Sequence, residues 1–230
     1  MNRRELLTQT LGFWGASFAA IIAAFLVYPP AAKFVSVAVF LYLPLLAAGR
    51  AGEDWTEDGV TLSRWKVDLL YAGLLFAVVA PVYFMLWKGW ALWIAPPHAA
   101  GGPPPGLAFH PRLPPDFPKW VVDQLFVVAL PEEFFYRGWL QSRLERVWPN
   151  GIRLVGVVVG PAFLLTAALF AVGHLAVFQV SRLAVFFPAL LFGWLRGRTG
   201  TIAGCTLFHA ACNLYQLFLG WSFSPLWDAR

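Results

Sequence analysis

Apolar residues arrive in long runs, separated by short polar or proline-rich segments. Leu11 to Tyr28 forms the first run, and Pro29-Pro30 ends it. Phe34 to Ala48 is the second, short for a full crossing and in need of a turn at each end. Leu69 to Trp87 is the third, with Pro81 tolerated as a kink. Trp120 opens the fourth. Val155 to Val180 is the fifth, with Pro161 a candidate for its true helix start. Leu183 to Leu195 is the sixth and Thr201 to about Gly220 the seventh. Several stretches of 18 or more residues lack Asp, Glu, Lys and Arg, enough for a helix to cross a hydrocarbon core of about 30 Å. The pattern predicts an all-α fold: a polytopic transmembrane helical bundle of seven spans, or eight if the region around Trp90 inserts.

Composition agrees: 59% of residues are hydrophobic, 13% are charged and mean hydropathy is +0.64. A soluble domain carries about twice that charge. No polar linker is long enough to separate two domains, so residues 1–230 are expected to be one integral membrane domain. Residues 1–119 supply spans and a loop, and 120–220 carry the chemistry. The net charge of +5 does not argue for nucleic acid, because the arginines lie between apolar runs and anchor topology. Arg3-Arg4, Arg143 to Arg153 and Arg196 with Arg198 fall on one side of a seven-span chain. This predicts a cytoplasmic N-terminus and an external C-terminus, with the bilayer as partner. Arg3-Arg4 also fits a twin-arginine signal, but no small-residue cleavage site follows. Residues 49–68 read as a surface helix or ordered loop, with Glu53, Asp54, Glu57 and Asp58 balanced by Arg50, Arg64 and Lys66. Thr61 to Trp65 is a weak interfacial candidate, and Leu92 to Ile94 another. The segment 88–119 reads as a loop, with Trp90 and Trp93 as interfacial anchors and His98 and His110 as solvent-facing.

Polar groups inside the runs are few. Glu132 and Glu133 are adjacent in the fourth, where a charge in hydrocarbon costs about 2.5 kcal/mol or more. Arg137 lies four residues beyond Glu133, in the favourable order for a helical ion pair, whereas Glu132 points about 100° away. The pattern suits a structural ion-pair cluster as well as one neutralised and one free carboxylate. At about 1.5 Å per residue, Glu132 lies about 18 Å below Trp120, and His209 about 12 Å from the opposite surface. His174 reaches the same layer if its helix starts near Pro161. His209 and Asn213 are four apart, and Phe170 precedes His174 by one turn. Two Glu, one Arg, two His and one Asn thus converge on a bundle interior, a pattern of active sites and of ion paths. A buried carboxylate beside an imidazole can take a proton from water, and an imidazole or carboxamide can donate to an oxyanion. This kit hydrolyses an amide without a serine or cysteine nucleophile. Cys205 and Cys212 read as small buried residues. Zinc on Glu132, His174 and His209 is an alternative, although the His-Glu-x-x-His motif is missing.

These residues carry a resemblance. Glu132-Glu133-x-x-x-Arg137, Phe170-x-x-x-His174 and His209-x-x-x-Asn213, in that order on successive helices, resemble the CAAX-protease and bacteriocin-processing family. These are glutamic-type intramembrane proteases related to the Rce1-type prenyl endopeptidase. The resemblance spans residues 120–220. It implies that Glu132 and His174 activate water, that Glu133 and Arg137 support the first motif, and that His209 and Asn213 stabilise the oxyanion. It implies no cofactor and no metal. It implies a membrane-associated protein or peptide substrate, cut near its C-terminus, either lipidated or carrying a sorting tail as in a myxosortase-like branch. The expected location is a bacterial inner membrane. A transporter or channel, and a non-catalytic immunity protein, are the competing classes.

Overall fold

A computed structural model describes residues 2–51, 55–94 and 109–223, the side chains of 48–51 and 90–94 excepted. Glu53, Asp54, His98 and the Pro- and Gly-rich stretch 95–108 lie outside the described residues, as do the side chains of Arg50, Trp90 and Trp93.

Helix α1, Arg3–Val27, begins earlier than its apolar run because Asn2 and Glu5 close a capping box around its first turn. Tyr28 breaks the helix, and Pro29, which needs no N–H donor at a first turn, starts α2, Pro29–Ala51. The extra turns expected of the second run are present. Helix α3, Trp65–Ile94, contains Pro81 and absorbs Leu92 to Ile94, so these residues are not a separate interfacial helix. Residues 55–59 form a turn, and Thr61 to Ser63 precede α3 without joining it.

The fourth helix, α4, runs unbroken over 117–147 but is not uniformly α-helical. Asp123–Ala129 and Phe134–Leu140 are π-helical: the Leu130 N–H reaches Leu125 O and the Gln141 N–H reaches Tyr136 O, each five residues back. The first wide stretch ends just before Pro131, which has no N–H and whose ring crowds the carbonyl four residues back. Every residue from Glu133 to Leu144 is buried, which makes α4 the central helix. Phe135, Tyr136 and Trp139 pack on Phe40 of α2 and Phe13 of α1. Arg143 and Arg146 belong to the helix rather than following it. Arg143 is fully buried, donating to Gln9 Oε1 at 2.6 Å and lying over the Trp139 ring.

The expected fifth run is corrected most. Its first residues are a two-stranded antiparallel hairpin, β1 Ile152–Leu154 and β2 Val157–Val159. Val155 at φ 48 and Gly156 at φ 80 make its tight turn, and the β-branched valines suit a strand. Helix α5, Pro161–Gly173, begins at the proline, as the sequence suggested. The chain then reverses through two 3₁₀ turns, His174–Val177 and Val180–Val185, with Phe178 between them at φ 55. Helix α6 is Phe186–Thr199, so Arg196 and Arg198 lie in its last turn rather than beyond it. Gly200, at φ 80, ends α6, and α7 is Ala203–Ser222.

The described residues therefore form seven helical legs that alternate in direction. Four stretches, Arg3–Val27, Pro29–Ala47, Trp65–Gly89 and Val180–Thr199, are long and apolar enough to cross a membrane. At one end of the bundle Arg143 reaches Gln9, Arg146 pairs with Asp58 at 2.8 Å, Arg64 donates to Thr199 O, and Arg198 donates to Tyr71 Oη. At the other end Phe25 meets Phe178 and Phe84 meets Phe223. Helix α7 runs alongside α3 and antiparallel to α4, which brings its mid-section against Glu132 and Glu133.

Candidate active site

Two consecutive carboxylates on α4 meet different fates. The Glu133 side chain is fully buried. Its Oε1 accepts from Arg137 Nη1 at 3.1 Å and from His209 Nδ1 at 2.8 Å. The i,i+4 pair anticipated from spacing is present, with α7 closing on it. A carboxylate oxygen only accepts, so His209 carries its proton on Nδ1 and turns Nε2 towards Glu132 Oε2, 3.9 Å away. The Glu132 side chain is 19% exposed, and its Oε2 makes no hydrogen bond among the described residues.

Arg137 is held through both terminal nitrogens and by two ring faces. Its Nη2 donates to Ala189 O of α6 at 3.1 Å, and its guanidinium lies 4.4 Å over the Phe170 ring and 5.0 Å over Phe192. One cation thus ties α4 to α5 and α6 by charge, hydrogen bond and ring face, the combination for which the planar guanidinium is suited. Phe192 also stacks on the His209 imidazole, with centroids 4.6 Å apart and planes 17° apart.

His174 begins the 3₁₀ turn after α5. Its Nδ1 lies 2.9 Å from Phe170 O. A carbonyl only accepts, so Nδ1 carries the proton and Nε2 is left as an acceptor. Phe170 touches both imidazoles, with centroids 4.6 Å from His174 and 6.0 Å from His209. The Tyr136 hydroxyl fills the space beside Gly173, where an added Cβ would meet it at 2.4 Å. The backbone before His174 thus rests directly on α4.

Asn213, one turn beyond His209, donates from Nδ2 to Gln124 Oε1 at 2.9 Å. The structure therefore gathers Glu132, Glu133, Arg137 and His209 tightly, joins His174 to them through Phe170, and sets Asn213 one turn away on α7. Sequence reasoning missed Gln124, Phe192, Tyr136 and the Ala189 carbonyl. Gln124 lies nine residues before Glu133, two and a half turns of an ideal α-helix and so on the opposite face. The π-helical stretch between them turns less per residue and brings both to the α7 side. Phe192 and the Ala189 carbonyl have no polar signature in the sequence, and a tyrosine such as Tyr136 reads as ordinary aromatic packing. Among the described residues no three His, Cys, Asp or Glu side chains are arranged to hold a metal ion.

A helical protein with membrane-length apolar helices and a buried Glu–Arg–His cluster with one free carboxylate belongs to the class of membrane proteins with polar chemistry inside the bundle. Residues 114–215 match the family model of the Rce1-like type II CAAX prenyl endopeptidases. That segment, a little under half of the chain, is similar to the Rce1-like endopeptidases. No curated protein and no solved structure matches the chain.

Proposed function

We propose that the chain is an intramembrane endopeptidase that cuts a membrane-associated peptide near its C-terminus, using water rather than a side-chain nucleophile. The observation that carries this reading is the contrast between the two adjacent carboxylates. Among the described residues each keeps one oxygen without a hydrogen bond, but Glu133 is fully buried and neutralised through its other oxygen by Arg137 and His209, while Glu132 has only His209 at 3.9 Å and keeps part of its surface open.

In this reading Glu132 takes a proton from a water molecule that the His174 Nε2 lone pair also orients. The water oxygen attacks the scissile carbonyl carbon, and the carbonyl oxygen becomes an oxyanion. Asn213 Nδ2 keeps one N–H beyond the one given to Gln124 and offers it to that oxygen. His209 joins as a donor when Nε2 is also protonated. Its positive charge and that of Arg137 then balance the two carboxylates. Collapse of the intermediate breaks the C–N bond, and Glu132 returns its proton to the leaving amine. The substrate, lipidated or bearing a sorting tail, approaches from the bilayer. The location in a bacterial inner membrane with a cytoplasmic N-terminus is part of the same proposal.

The test is cleavage of a farnesylated peptide with a CAAX terminus by the full chain in proteoliposomes, with Glu132→Gln as control. Comparison of membrane-protein C-termini by mass spectrometry, with and without the active chain, identifies the natural substrate. Equal behaviour of wild type and folded Glu132→Gln in both measurements would remove the reading. Chelators are expected to leave turnover unchanged; loss in chelator reversed only by zinc would turn Glu132, His174 and His209 into metal ligands.

A further inference from the structure

A carboxamide is useful to an oxyanion only if its nitrogen points the right way. The two ends of an asparagine side chain are nearly the same size, and rotation by half a turn exchanges a donor for an acceptor. Turned one way, Asn213 offers N–H to a developing negative charge. Turned the other, it offers a carbonyl oxygen that repels it. Something must decide between the two states; at helical spacing the α7 neighbours of Asn213 are His209, Ala210, Gln216 and Leu217, and its side chain bonds to none of them among the described residues.

The deciding contact comes from α4. Gln124 Oε1 accepts from Asn213 Nδ2 at 2.9 Å, while Gln124 Nε2 lies 3.5 Å from Asp123 Oδ2. Asp123 is fixed in turn by an ion pair between its Oδ1 and Lys33 Nζ of α2. The Gln124–Asp123 contact, at 3.5 Å, is at the long limit of a hydrogen bond and biases the order of atoms along this chain. A carboxylate paired to a lysine can only accept, so the Gln124 atom facing it is the NH₂ group. The carbonyl of Gln124 then faces α7, and the Asn213 atom facing that carbonyl must be its NH₂. The ammonium of Lys33 thus biases, through two side chains, the orientation of Asn213. The π-helical stretch Asp123–Ala129 makes the contact geometrically available, because in an ideal α-helix Gln124 would point away from the face that carries Glu133.

We infer that Gln124 is a positioning residue that fixes Asn213 with its N–H towards the reaction centre, and that Asp123 and Lys33 set the polarity of Gln124. The inference rests on the peptidase reading and deepens it. Gln124 is not a catalytic residue: it acts only through Asn213, whose second N–H makes the contact with substrate.

The experiment is a set of variants of the full chain in proteoliposomes, assayed with the farnesylated CAAX peptide and each checked for its melting transition. Gln124→Leu removes the acceptor at similar size and is expected to lower kcat about tenfold, with KM within about twofold, as for a misplaced donor. In the double variant Asp123→Asn with Gln124→Glu the amide and the carboxylate change places, so Lys33 and Asn213 each still meet an acceptor, and kcat is expected to return to near wild type. In an Asn213→Ala background, Gln124→Leu is expected to have no further effect, since the group it orients is gone. Three results each overturn the inference: wild-type kcat in Gln124→Leu, equal damage from Gln124→Leu and the Asp123→Asn, Gln124→Glu double variant, or additive losses with Asn213→Ala. The melting transitions separate these outcomes from instability: a Gln124→Leu protein that loses turnover only as far as it loses folded protein also counts against the inference. Failure of the peptidase reading looks different, because wild type and Glu132→Gln then behave alike whatever stands at 124.

Discussion

Two neighbouring carboxylates with different partners should respond differently to the same change of one atom. Glu132→Gln keeps the shape and removes the base, so turnover should fall about 100-fold or more, with the melting temperature in detergent little changed. Glu133→Gln should do the reverse in emphasis. It withdraws a charge from Arg137, whose guanidinium is fully buried, and stability should fall by about 3 kcal/mol, read from thermal unfolding. A stable Glu133→Gln protein with no turnover would reverse the two roles. At this scale much of the candidate site was legible. The spacing of Glu133 and Arg137 is visible in the sequence, and so is the common depth of Glu132 and His209. The partners that hold them were not. A backbone carbonyl at Ala189 and the ring faces of Phe170 and Phe192 serve Arg137, and a sequence does not distinguish such groups from ordinary packing.

Between elements, α4 and α5 touch where Tyr136 lies against Gly173, immediately before His174. Gly173→Ala places a methyl group within 2.4 Å of the Tyr136 hydroxyl oxygen, while the ring carbon bearing it stays at 3.6 Å. The variant should displace the turn carrying His174, with lower turnover and a lower melting temperature. Adding Tyr136→Phe removes only the clashing oxygen and should restore both; an uncorrected double variant would mean that the glycine matters for another reason. The π-helical character of α4 could not be read beforehand, because a periodicity argument assumes 3.6 residues per turn throughout. The β-hairpin was hidden for a related reason. Ile152–Leu154 and Val157–Val159 are apolar, and the uncharged stretch continues into α5, so nothing in polarity marks the change from strand to helix.

For the whole molecule, the direction of the seven legs was legible from the arginines, whereas the number that cross the bilayer was not. Helix α5 has 13 residues and is about 20 Å long, less than a hydrocarbon core of about 30 Å, and α6 reaches membrane length only with the 3₁₀ turn before it, as Val180–Thr199. An odd count of crossings should place N- and C-terminal reporters on opposite sides, and a reporter at Asn150 on the N-terminal side; termini on the same side would mean that one leg does not cross. The contacts that stitch the basic end have a bearing on how the chain can be divided. Gln9, Asp58, Arg64, Asp68 and Tyr71 all come from the first part of the chain. Their partners Arg143, Arg146, Thr199, Thr201 and Arg198 all come from the second. The segment that matches the family is thus not a portable module. Expressed alone, residues 109–230 would carry Arg143 without Gln9 and Thr201 without Asp68, and should be cleared by proteolysis in the cell. Co-expression of residues 1–94 as a separate polypeptide should rescue it, and persistence of the lone fragment would show that the first three helices are dispensable as a scaffold.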